Sequence, residues 1–95
     1  MSAEERAEFQ TQRMKETLDL DSAQVVRVSS INLNYARKMD PIIAGNGSRL
    51  TKLRAFQQVS AAKEKELQKV LSPEQFRQFK QQQQEMKEQL KKRRS

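Results

Sequence analysis

Cysteine, histidine and tryptophan are missing from this 95-residue chain, and glycine and proline occur only twice each. Without cysteine there are no disulfide staples and no thiolate chemistry, and either redox compartment fits. With histidine gone as well, the usual zinc and copper ligands are absent, and no carboxylate cluster has the spacing of a calcium loop. No metal and no cofactor are expected. No apolar run approaches the ~20 residues of a membrane span. The start "MSAEERAEF" lacks the basic-then-apolar pattern of a signal peptide, although a mature protein given a new initiator Met would look the same. Aromatic residues are scarce, four Phe and one Tyr. A chain this short forms one domain, residues 1–95, hiding a modest share of its surface, so self-association would help it.

The same absences bear on catalysis. An enzyme needs a nucleophile, base or electrophile in a dry pocket, and there is no His, no Cys and little core to build one. Glu64 and Glu66 fall on different helix faces, Asp19 and Asp21 flank a cap, and no glycine-rich phosphate loop occurs. The chain reads as a non-enzyme.

What is present is helix-forming material: Gln, Glu, Lys, Arg, Ala and Leu dominate, which predicts an all-α fold. Ser2 with Glu5 forms a capping-box pattern for a first helix ending near Thr17 to Leu20. Asp21 with Gln24 repeats the pattern, and Val25, Val28, Asn32, Tyr35, Met39 and Ile42 follow at helical spacing as an inward stripe with one polar interruption. Pro41 is expected to kink or end this second helix. "AGNGS", Ala44 to Ser48, then makes a hairpin tip, with Gly45, Asn46 and Gly47 supplying left-handed backbone and Ser48 the next N-cap. Asn46-Gly47-Ser48 also fits the glycosylation pattern, but a tight turn accounts for it. The third helix, about Arg49 to Val70, has an apolar face broken by Ser60 and Lys63. The fourth starts at Ser72 with Pro73 at its first position and Gln75 completing a box. Phe76, Phe79, Gln83, Met86 and Leu90 run along it at heptad spacing, while "KQQQQ" from Lys80 predicts exposure on three sides. Short connections make neighbouring helices antiparallel.

Net charge is +7, unevenly spread. Residues 1 to 24 carry net −3, residues 25 to 63 net +6 and residues 64 to 95 net +4, ending in "KKRR". The terminal run suits a helix C-terminus and solubility. In the middle, Arg27, Ile31, Asn34 and Lys38 share one helix face, and Lys52, Phe56, Val59 and Lys63 share another. Such faces are either ordinary core or dimer interface, or a shallow basic and partly greasy surface. The latter would attract acidic or unfolded chains by charge and hold them by apolar contact. Nucleic acid is the weaker partner, since neither a helix-turn-helix nor an aromatic stacking platform occurs.

"LDSAQ", Leu20 to Gln24, and "LSPEQ", Leu71 to Gln75, resemble the twin LTxxQ motifs of the Spy/CpxP family of bacterial periplasmic proteins, and the flanks "RMKETLDLDSAQ" and "LQKVLSPEQFRQF" extend the likeness. Asp21 and Ser72 replace the motif Thr and keep a capping oxygen. The 51 positions between Leu20 and Leu71 are few beside the family's namesake, and the His-rich metal-binding segments of some relatives are lacking.

The resemblance implies long antiparallel helices, a helical hairpin with flanking N- and C-terminal helices in a curved, cradle-like homodimer. It also implies periplasmic activity as an ATP-independent chaperone or envelope-stress protein. On that expectation Leu20, Asp21, Gln24, Leu71, Ser72 and Gln75 lock helix junctions. Arg27, Arg37, Lys38, Arg49, Lys52 and Arg54 steer unfolded clients, and Ile31, Met39, Ile42, Ile43 and Phe56 hold them. The competing expectation is an adaptor whose same surface binds one folded partner, such as a sensor domain.

Overall fold

A helix starts where a side chain can accept the first free backbone N–H groups, and this chain places such a residue before each of its first three helices. In the computed structural model, which describes residues 1–94, these are Ser2, Asp21 and Ser48, accepting from the backbone N–H of Glu5, Gln24 and Thr51 at 3.1, 2.8 and 3.2 Å. They open α1 (Ala3–Leu18), α2 (Ser22–Ala44) and α3 (Arg49–Val70). Ser72 does the same for α4 (Pro73–Arg94), accepting from Gln75 at 3.1 Å. The described residues are all-α, and no helix among them is long and apolar enough to cross a membrane. Of the closing basic run, the side chains of Arg93 and Arg94 lie outside the described residues.

The chain runs up, down, up and down, so both short junctions, α1 to α2 and α3 to α4, meet at one end. There Met14, Leu18, Leu20, Val28, Leu67 and Leu71 form the main core, with Val25, Ile31, Val70, Phe76 and Phe79 packed on its margin. Val28, Asn32 and Leu67 are the most deeply buried large side chains. Along the α1/α2 pair, antiparallel register is marked by Arg6 reaching Ala36 O and Asp40, and by Asn32 Nδ2 donating to Thr11 Oγ1 at 2.9 Å. Ala3, Ala7 and Ala36 fill the far end of that pair, where small side chains let the helices approach.

α4 departs from this close packing. It meets α1 and α3 sparsely, held near its start by Phe76 and Phe79, whose ring centroids lie 6.2 Å apart, and by Lys80 Nζ to Glu64 Oε2 at 3.0 Å. The radius of gyration of 14.0 Å exceeds the roughly 12 Å of a compact chain of this size, consistent with a bundle tight at one end and splayed at the other.

One expectation about backbone is narrowed and one is corrected. α2 does not end at Pro41 but continues to Ala44, with the proline inside the helix and therefore no N–H to offer Arg37 O. The tip uses no left-handed glycine: Gly45 is extended at φ −69°, and its constraint is space, since an added Cβ would stand 3.0 Å from Pro41 O. The left-handed residue is Asp19, φ 54°, at the end of α1.

Candidate functional site: a glutamine clamp and an apolar groove

Each motif glutamine serves its own helix and the opposite junction. Gln24 Oε1 accepts from the backbone N–H of Asp21 at 3.1 Å, and Gln75 Oε1 from that of Ser72 at 2.9 Å, completing two capping boxes. The amide nitrogens face the other way. Gln24 Nε2 donates to Val70 O, the last helical carbonyl of α3, at 3.2 Å, and Gln75 Nε2 donates to Leu18 O, the last of α1, at 3.1 Å. Between them the two amides pair reciprocally, at 2.7 and 3.2 Å. Four helix termini are thus satisfied by two side chains, and Leu20 and Leu71 close the underside as buried core residues.

The end away from the clamp is less closely packed around α4. An apolar groove of about 590 Å³ lies there, lined from α2 by Met39 and Ile43, from α3 by Leu53 and Phe56, and from α4 by Phe79, Met86 and Leu90. Ile43, Leu53, Phe56, Met86 and Leu90 each keep about half or more of their surface in water. Soluble proteins seldom leave so many large apolar groups together without a partner. Arg6, Lys63 and Lys87 supply cations to the lining, and Glu64 an anion.

These charges are not equivalent. Arg6 is committed to Asp40, and Glu64 to Lys80. Lys63 is half-buried, and its Nζ donates to the neutral amide of Gln10 at 3.0 Å. Burial holds the Lys63 ammonium below the ordinary lysine range, opposed by the charge of neighbouring Glu64. At the groove wall the Tyr35 phenol is pushed up, first by its hydrogen bond to Glu66, then by burial and the charge of that carboxylate. Lys38 lies over the Tyr35 ring, 4.7 Å from its centroid.

Of the residues expected to contact clients, Met39, Ile43 and Phe56 line this groove, and Ile42 is half-buried nearby in sequence on α2. Ile31 is elsewhere, packed on the core at the clamped end. The expected steering cations are outside the lining: Arg27, Arg49 and Arg54 are exposed, Lys52 is half-buried, and Arg37 reaches Glu4 at 3.3 Å across the α1/α2 pair. Arg6, Lys63, Lys87, Leu53, Met86 and Leu90 went unassigned as site residues. The polar break in the α3 stripe at Ser60 and Lys63 and the heptad stripe of α4 are the features that point to this groove, since both residues of the break and much of that stripe line it.

Fold and site define a small four-helix protein, pinned at one end and open at the other over an apolar, cation-bearing groove. Residues 1–95 match the family described as Domain of unknown function (DUF4890), and the chain belongs to that family. No curated protein and no solved structure matches it.

Proposed function

We propose that the protein is an ATP-independent chaperone of the Spy/CpxP kind, a non-enzymatic periplasmic stress protein that works as a homodimer and shields unfolded chains from aggregation. The open groove carries this reading. Its half-exposed Leu53, Phe56, Met86 and Leu90 offer weak, non-directional attachment to any apolar segment, which suits clients of many sequences. The net charge of +7 adds long-range attraction for acidic chains and supports solubility while apolar surface stays exposed. Two caps joined by a side-chain clamp resemble a device for fixing helix angles, which fits the likeness of the twin motifs.

Light scattering from an aggregating client without ATP, at several salt concentrations, tests the proposal. Stoichiometric protein is expected to suppress aggregation, and Leu53→Ser with Phe56→Ser to weaken suppression several-fold while leaving helicity intact, because both side chains are about half exposed already. Absence of suppression by the unaltered protein would refute the chaperone reading. Capture of one folded partner in stoichiometric amount would favour an adaptor instead.

A further inference from the structure

Lys63 stands out because the groove half-buries it without a direct ion pair, although the charge of Glu64 lies nearby. Among the described residues it forms no ion pair: its hydrogen bond goes to the neutral Gln10 amide, and adjacent Glu64 is held by Lys80 at 3.0 Å. Of the other two cations in the lining, Arg6 is already paired with Asp40, and Lys87 stands on α4. Partial burial of an ammonium with no direct ion pair costs the fold free energy, and a carboxylate brought to it offsets that cost. Phe56, Phe79 and Met86 share the lining with it and favour an apolar chain.

Resting on the groove reading above, we infer that Lys63 is a specificity-determining residue that selects apolar peptide segments interrupted by a carboxylate, pairing with a client glutamate or aspartate while neighbouring client side chains occupy the groove. The unpaired cation and the apolar side chains that share the lining ask for the same kind of segment. The groove opens along α3 and α4 and does not enclose its contents, which suits a polypeptide whose backbone stays partly in water.

The test is fluorescence anisotropy with two short labelled apolar peptides, identical except for one central Glu or Gln. Native protein is expected to bind the Glu peptide about tenfold more tightly, the scale of one charge-assisted hydrogen bond. Lys63→Met is expected to erase that difference without lowering the melting temperature, and Lys63→Arg to retain it. Equal binding of the two peptides by the native protein, or a preference that persists in Lys63→Met, would overturn the inference while leaving the groove reading in place. Failure of both peptides to bind would remove the groove reading and this inference with it. Two other outcomes also overturn it, provided the peptides are not discriminated. Displacement of both by oleate would assign the site to a lipid carboxylate. Self-association abolished by Lys63→Met would assign it to a second copy of the chain.

Discussion

Gln24 and Gln75 each occupy two roles that are usually divided between residues, N-cap partner for one helix and donor to the last carbonyl of another. A hydrogen bond contributes about 1 kcal/mol net, and stranding a buried partner costs more. Gln24→Ala leaves Val70 O and the Gln75 amide without their partner, so a loss of about 2 kcal/mol is expected, and the same for Gln75→Ala. Either substitution already breaks the amide pair, so the double variant should fall short of the sum by about 1 kcal/mol. Urea denaturation of the four proteins measures this, and additive losses would show that the amides act separately. The boxes themselves were legible from sequence because a cap and its partner sit three residues apart. The cross-junction bonds were not, since nothing local tells a glutamine that its counterpart lies 51 residues away in the chain.

At the scale of elements, α2 is the centre of the molecule and its inward stripe was readable from spacing alone. Val28, Asn32 and Tyr35 are buried where that stripe places them, and Met39 and Ile42 further along it are half-buried. The turn after α2 was misread because glycine has two uses. Composition suggests left-handed freedom, whereas Gly45 is extended and a Cβ there would stand tightly against Pro41 O, and left-handed backbone occurs instead at Asp19 at the end of α1.

Asn32 fixes α1 against α2 by donating to Thr11, which passes its own proton to Ala7 O at 2.9 Å. Its Oδ1, fully buried, receives no hydrogen bond among the described residues. Asn32→Leu keeps the shape, removes the stranded oxygen and leaves Thr11 still bonded to Ala7. It is therefore expected to stabilise the fold by about 1 kcal/mol. Chemical denaturation provides the check, and a loss of stability would mean that the oxygen is satisfied in solution.

Across the whole molecule, stability and the proposed function occupy opposite ends. The main core and clamp lie where the junctions meet, while the groove lies where α4 stands off from the bundle, a separation set by packing and invisible in the heptad spacing of α4. Phe76, Phe79 and Lys80 hold the start of α4 against the bundle. A chain ended after Gln84 keeps these three and loses Met86, Lys87 and Leu90 from the groove. Its melting temperature is expected to stay within a few degrees, since a change of about 1 kcal/mol moves a domain of this size by roughly 4–8 °C. Its suppression of client aggregation should fall sharply at the same time. Circular dichroism and light scattering on one preparation read both quantities. Joint loss of folding and suppression would mean that the last turns of α4 belong to the core, whereas suppression at the native level would move the client surface off α4 and onto α2 and α3.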